Sequence, residues 1–509
     1  MSAKSLMVMG TASDVGKSVV VTALCRSFAR AGHAVVPFKA QNMSNNAAVC
    51  EGGEIGRAQA VQAEAAGLPP SVLMNPVLLK PSSDLGSQVV ICGRARFHTT
   101  FRDNYDRYRA EAWPAIRQSY EALAKRFALI VIEGAGGAAE INLRYRDLVN
   151  WPVAELADAP VLLVADIDRG GVFASLVGTV ELLAPEERRR VKGFIINKFR
   201  GHRELLESGL RLLTERTGIP VLGVLPYREN LGIAEEDAVV LYRHRPRRPP
   251  TAVTCGVLHL PHIANFTDFD GLDKEPDVSV HYLRDPGSAP ALDLVILPGT
   301  KATVDDLAWL RAAGWEEWLN RQRAAGAWIV GVCGGYQMLG RRIIDRDHVE
   351  SAEPETAGLG LLSVETIFDP EKLTRTVRAV HRATNLVVAG YEIHAGRIHG
   401  VNERNAVFKI IERDGRVASE LEGLASADGR VFGSSIHGLF DAPAFRRHLI
   451  NAVRASKGLA PLESRPAEDV ETERRATYDS LADWWEACID MRRIAALAGV
   501  AWKPRAGAV

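Results

Sequence analysis

Six short runs of almost unbroken apolar character punctuate the first half of the chain: residues 6–10 (LMVMG), 34–39 (AVVPFK), 128–134 (ALIVIEG), 160–168 (PVLLVADID), 193–197 (GFIIN) and 220–226 (PVLGVLP). A strand with one wet face alternates apolar and polar residues. A continuous apolar run instead fits a strand covered on both faces, as in a parallel sheet. Longer stretches of helical periodicity separate several of the runs; one covers 18–30 and stops at Gly32. This alternation predicts an α/β fold built on a doubly wound parallel sheet.

Four arginines and three prolines then crowd residues 243–250, a stiff and solvated stretch that reads as a linker. Beyond it a second alternation begins, with strands predicted at 253–260, 278–283, 292–299 and 327–335 and antiparallel additions near 390–398 and 431–437. After Asp441 the pattern turns helical and polar. The expected organisation is a nucleotide-type domain over 1–243, a linker over 244–250, a second α/β domain over 251–447, and a helical segment over 448–509 that packs on the second domain or forms a small cap.

Composition narrows the function classes. Among 509 residues, Lys plus Arg and Asp plus Glu both number 62, so the chain lacks the net positive field of a nucleic-acid or anionic-membrane binder. No stretch reaches the ~18 apolar residues of a membrane span, and 6–9 is too short for a signal sequence. The six cysteines are widely spaced with no C-x-x-C pair, which argues against a disulfide framework or structural zinc and for reduced cytoplasmic thiols.

The first run leads into Gly10-Thr11-Ala12-Ser13-Asp14-Val15-Gly16-Lys17-Ser18 and a helix. This is a P-loop with five residues, not four, between its glycines. Gly10, Thr11, Ser13 and Gly16 supply backbone that converges on phosphate oxygens, Lys17 reaches the β/γ-phosphates, and the Ser18 hydroxyl suits Mg²⁺. Glu133 and Asp166 end predicted strands, where a parallel sheet places its ligands, and are candidate metal ligands; Asp168 follows the same pattern, but Asp commonly begins turns. Asn197-Lys198 is similar to the base-reading pair of GTPases, yet Arg200 stands where an Asp would read guanine, which favours adenine. The polar run Gln41, Asn42, Met43, Ser44, Asn45, Asn46 reads either as a plain loop or as a grip on a substrate carboxylate.

In the second half, Cys333 lies between a strand and a helix, flanked by Gly331, Gly334 and Gly335. So sharp a turn exposes a nucleophile and aims N–H groups, that of Gly334 among them, at a developing oxyanion. Gly299, in LPGT, offers another. A lone cysteine would read as a small core residue. Here His437 ends a later strand, where the base for a thiol is expected.

CGGYQMLG together with SIHGLFD resembles the class I glutamine amidotransferases of the cobyrinate type. In that class a Glu follows two residues after the His; Leu439 holds that position here, so a Cys333–His437 dyad is implied and Glu392 is a candidate to orient the imidazole. The widened P-loop and the EGAG strand end resemble dethiobiotin-synthetase-like ATPases. FKAQNMSNN, GRAQAVQAEAAG, MNPVLLKP, DIDRGGVFAS, NFTDFDGL, LPGTKATVDDL and GYEIHAGRIHG extend the resemblance to the cobyrinate-type family over residues 6–441. It implies a carbon–nitrogen ligase that uses ATP, Mg²⁺ and glutamine to amidate the b, d, e and g carboxylates of adenosylcobyrinic acid a,c-diamide in cobalamin biosynthesis. The partners implied are a corrinoid and glutamine, with no nucleic acid and no membrane; a homo-oligomer is compatible with it. Open alternatives are an amidotransferase for another acid, as in cobyrinate a,c-diamide synthesis or lipid II amidation, and a non-catalytic P-loop switch ATPase.

Overall fold

The computed structural model describes residues 3–82, 86–100, 105–229, 231–234, 236, 241–242, 244–246 and 252–503. The first six predicted strands form one wholly parallel sheet. Its order is Val221–Pro226, Val191–Phe199, Val161–Asp166, Lys4–Gly10, Leu129–Glu133, Val35–Phe38. Leu6 to Met9, Ile130 to Ile132 and Leu162 to Val164 are fully buried, as strands covered on both faces require. The P-loop follows the Lys4–Gly10 strand, and the helix Lys17–Arg30 leaves it.

A smaller mixed sheet and a hairpin lie beside this core. Gln41–Met43 pairs with Val77–Pro81, which continues antiparallel to Gly86–Ile91 and Arg94–Thr100. Ala47–Cys50 folds back on Gly53–Gly56. The polar run at 41–46 is therefore partly a strand.

In the second half, Val278–Leu283, Val253–Leu258, Leu294–Leu297, Trp328–Val332 and Val431–Ser434 form a parallel core. The last of these was expected to be antiparallel. It runs parallel to Trp328–Val332 instead, with Val332 beside Ser434, and so brings the residues after both strands to the same sheet edge. An antiparallel meander of long strands, Glu365–His381, Val387–His399, Ala406–Arg413 and Arg416–Ala425, extends the sheet.

Of the expected 244–250 linker, residues 247–250 lie outside the described residues, as does Arg243. The final helices divide between the domains. Pro443–Ser456 buries Phe445, Leu449, Ile450 and Val453 against the second domain. Ala467–Cys488 and Met491–Leu497 return to the first: Leu481, Trp485 and Ile494 pack with Val20, Leu24 and Phe28 of the helix after the P-loop. Arg26–Asp479 (2.8 Å) and Arg30–Asp483 (2.6 Å) flank that contact. The expectation that the segment packs on the second domain thus holds for Pro443–Ser456 and is corrected for the last two helices. The Arg26 and Arg30 charges and the apolar face of the first helix offered a better-matched surface.

Among the described residues no helix is long and apolar enough to cross a membrane.

Candidate active site

The P-loop glycines are there for space and for backbone angle. Gly16 has φ 101°, and a Cβ there would lie 2.1 Å from Asn197 Nδ2. Asn197 itself donates to Val15 O at 2.9 Å, so it braces the loop. Thr11 N donates to Val164 O, and Ser13 is exposed at the loop's tip. Lys17 Nζ folds back onto Ala12 O (2.8 Å) and Gly136 O (2.9 Å), carbonyls whose place phosphate oxygens can take. Burial lowers its pKa to about 8 against the pull of nearby Glu133.

Ser18 Oγ donates to Glu133 Oε1 at 2.8 Å and to Glu236 Oε2 at 3.3 Å. Lys39 Nζ (2.8 Å) and Gln62 Nε2 (2.5 Å) also reach the Glu133 carboxylate. Burial pushes the Glu133 pKa up, but Lys39 and the three hydrogen bonds outweigh it and hold this carboxyl below the ordinary range. A hydroxyl with two carboxylates is the hard-oxygen donor set that suits Mg²⁺. Glu236 was not foreseen. Asp166 was, and here Lys198 Nζ pairs with it at 2.9 Å while also donating to Asp14 O of the P-loop (2.6 Å), and Asp166 accepts from Asp168 N. Asp168 in turn pairs with Arg200, whose guanidinium covers the Tyr227 ring at 3.3 Å.

The polar run reaches from this site to the other domain. Gln41 Oε1 accepts from Tyr108 OH. Asn42 Nδ2 donates to Gln59 Oε1 at 3.0 Å and to Glu236. Asn45 Nδ2 donates to Pro81 O, while its buried Oδ1 has no hydrogen-bond partner among the described residues. One residue further, Asn46 Oδ1 accepts from Thr267 Oγ1 (3.2 Å), and Ala47 N donates to Asn265 Oδ1 (2.9 Å) in the second domain. Below this contact, Glu54 is gripped by Lys80 (2.8 Å) of its own domain and Lys372 (2.5 Å) of the other. Burial alone would raise its pKa; the two ammonium groups pull it down to about 2.

Cys333 follows the Trp328–Val332 strand with φ 50° and ψ −110°, a strained angle for a residue with a Cβ. Its N–H is held by Ser434 O at 2.8 Å, and Gln337 N closes the turn onto its carbonyl. Side chains are excluded at the flanking glycines: a Cβ at Gly335 would lie 2.0 Å from Leu297 O, and one at Gly334 would lie 2.7 Å from Thr300 Cγ2. Gly299 abuts the thiol and the imidazole together, since a Cβ on it would lie 2.9 Å from His437 Cε1 and 3.7 Å from Cys333 Cβ. The structure thus gathers Cys333, His437, Gly299 and Gly334 at one sheet edge.

Asp268 orients the imidazole. Its Oδ2 is 2.6 Å from His437 Nδ1, and its Oδ1 accepts from Gly438 N at 3.1 Å. Burial alone would lower the His437 pKa, but Asp268 and the Cys333 sulfur raise it to about 10, so a charged imidazolium is stable beside the sulfur. Asn265 Nδ2 lies 3.4 Å from the other ring nitrogen. Glu392, the sequence candidate, is turned away. It neighbours Tyr391 on a strand whose side chains alternate, so Tyr391 stacks on His437 while Glu392 pairs with Arg413 at 2.9 Å. NFTDFDGL carried the missing residue, but no fixed spacing ties Asp268 to His437.

Changing Asp268 to Asn keeps the volume and removes the charge. Glutamine hydrolysis is expected to fall by about 10²–10⁴-fold in kcat. The His437 pKa should drop from about 10 towards its ordinary 6.5, moving the alkaline limb of the pH profile to lower pH. An unmoved limb would show that the carboxylate does not act on the ring.

A thiol elbow on one α/β domain and a P-loop on another define a two-domain, glutamine-dependent amidotransferase. The family model of the CobQ/CobB/MinD/ParA nucleotide binding domain matches residues 6–240, and that of the CobB/CobQ-like glutamine amidotransferase domain matches 254–445. Cobyric acid synthase of Sorangium cellulosum (strain So ce56) is 48% identical over 98% of this chain and 99% of its own length. The cobyric acid synthases of Syntrophobacter fumaroxidans (44%, 98% of this chain and 99% of its own) and Caldanaerobacter subterraneus subsp. tengcongensis (46%, 97% and 98%) match over similar spans. The chain belongs to the cobyric acid synthase family.

Proposed function

We propose that this chain amidates the b, d, e and g carboxylates of adenosylcobyrinic acid a,c-diamide, using ATP to activate each acid and glutamine as the nitrogen source. One observation supports the coupling above all. Residues 41–47 touch both sites, with Asn42 at the Glu236 side of the P-loop and Ala47 on Asn265 beside His437. Nitrogen released at the sulfur therefore emerges against the half that holds the phosphates.

The chemistry follows from the groups present. A carboxylate resists attack by ammonia until its oxygen is made a leaving group by phosphoryl transfer. Lys17 neutralises charge on the transferring group, and the loop N–H groups hold the remaining phosphates. Ser18, Glu133 and Glu236 would hold Mg²⁺, which when bound would supply charge neutralisation to the phosphates. In the other domain, the Cys333 sulfur attacks the glutamine side-chain carbonyl and forms a thioester. His437 gives its proton to the departing nitrogen, and ammonia leaves. Water then attacks the thioester, His437 takes a proton from it, and glutamate is released. The N–H groups of Gly299 and Gly334 face the oxyanion, while Gln41, Asn42 and Asn45 approach the acid to be activated. That every reactant is a soluble metabolite supports a cytoplasmic setting for the reaction.

Mass analysis of the corrinoid product tests the substrate. Four successive losses of about 1 Da, each the exchange of a hydroxyl for an amino group, support the reading; a product that stops after two amidations contradicts it.

A further inference from the structure

The helix Arg57–Ala65 belongs to the nucleotide half, yet its two ends serve different sites. Gln62 donates to Glu133, the carboxylate beside Ser18 of the P-loop. Five residues earlier, about 7.5 Å along the axis, Arg57 Nη2 donates to Tyr391 OH at 2.8 Å, across the domain boundary. Arg57 Nη2 also holds Ala47 O (2.9 Å) and its backbone N–H holds Asn46 O (3.0 Å), so the guanidinium is fixed from its own side.

Tyr391 is not a passive acceptor. Its ring stacks on His437 with centroids 5.1 Å apart and planes 14° from parallel. The two residues also exchange backbone hydrogen bonds, Tyr391 N to His437 O (3.2 Å) and His437 N to Tyr391 O (2.8 Å). Asp268 fixes the imidazole at Nδ1 within the ring plane, and Tyr391 fixes the plane itself. A ring that must give a proton to a leaving nitrogen and later recover one from water needs both restraints.

We infer that Arg57 is a positioning residue for the thiol site supplied by the nucleotide half, holding Tyr391 against His437 and tying imidazole alignment to the state of the helix that also carries Gln62. The inference rests on the reading above that Cys333 and His437 release ammonia. A rearrangement around Glu133 when nucleotide binds is transmitted through one rigid helix to the ring that shuttles the proton. Glutamine hydrolysis then runs fastest when the other half can use its product.

The test uses the full chain and three readouts: glutamate release without other ligands, glutamate release with ATP and the corrinoid acid, and amidation driven by ammonium salt. For Arg57→Ala the expected result is a fall of about tenfold in the kcat of glutamate release with the glutamine KM within about twofold. Stimulation by ATP plus corrinoid is lost, and ammonium-driven amidation stays near the parent level. Arg57→Lys, which keeps the charge and one donor, recovers part of the kcat. Tyr391→Phe removes the hydroxyl that accepts from Arg57 and donates to Ala47 O (3.5 Å), keeps the stacked ring and reproduces the Arg57→Ala defect, and the double variant is no worse than either single one. An unchanged kcat in Arg57→Ala, an equal loss with both nitrogen sources, or additive defects in the double variant would each overturn the inference. Should Arg57→Ala fail to fold, Tyr391→Phe decides alone: a selective loss of glutamate release supports the assignment and an unchanged kcat ends it. Failure of the parent reading looks different, because the unaltered chain would then release no glutamate.

Discussion

Replacing Cys333 with Ala is expected to abolish amidation from glutamine, by more than about 10⁴-fold, while amidation from ammonium salt continues. The sulfur has no substitute at its position. It sits at a strained φ of 50°, the flanking glycines admit no other side chain, and His437 is held for it by Asp268 at 2.6 Å. The phosphate side is held without the sulfur atom: Lys17 donates to Gly136 O, and Ser18 and Lys39 donate to Glu133, all within the first domain. Ala is also small enough to keep the elbow's backbone. The selective loss therefore separates the nitrogen-releasing step from the acid-activating one. If both nitrogen sources failed equally, the thiol would have a role in the synthase reaction itself.

Lys17→Ala should give the complementary pattern. Amidation from glutamine and from ammonium should fall together, by at least about 10²–10³-fold, the usual cost of removing a preorganised charge from a transition state. Glutamate release without nucleotide should persist, because the hydrogen bonds of Lys17 go to Ala12 O and Gly136 O, both in its own domain. The two variants also bear on folding. Lys17 is buried with a pKa lowered to about 8, so its removal relieves a desolvation cost and should leave thermal stability unchanged or raised. A chain that kept ammonium-driven amidation without Lys17 would mean that the P-loop does not hold the reacting phosphates.

What could be read without coordinates follows a physical divide. The six strands of the first sheet announce themselves because both faces of each are covered, which forces continuous apolar runs. Strands such as Glu365–His381 and Arg416–Ala425 did not stand out, since one face is wet and their charged residues dilute the pattern. The P-loop and the Cys333 elbow were legible because tight backbone turns demand glycines at fixed offsets. Asp268, Glu236 and Arg57 were not, because each acts through a contact about 170 to 330 residues away in sequence, with Ser18, His437 or Tyr391. Glu392 was a reasonable choice as the carboxylate within the GYEIHAGRIHG motif. Strand alternation reversed it, since the residue beside it faces the imidazole. The last helices misled for a related reason: their apolar stripe was evident, but the partner surface lies some 450 residues upstream, at Arg26 and Arg30.

The 41–47 segment shows how the halves become one enzyme. Its polar side chains read either as a plain loop or as a grip on a substrate carboxylate, because no apolar periodicity marks them as a strand. In the structure they are a row of hydrogen-bonding groups that begins beside Tyr108 and Glu236 and ends on Thr267 and Asn265. The same face carries the Glu54–Lys372 pair and the apolar contact of Ala47, Leu78 and Val90 with Ile393.

In the proposed reaction, nitrogen passes from a sulfur centre in the second domain to an activated acid in the first. Incubating the chain with ATP, the corrinoid acid and glutamine labelled with ¹⁵N in its side-chain amide, in the presence of excess unlabelled ammonium at a pH where little of it is free base, tests that claim directly. ¹⁵N is expected to predominate in the new carboxamides; product nitrogen that mirrors the unlabelled ammonium pool, or no amidated corrinoid at all, would rule out this transfer.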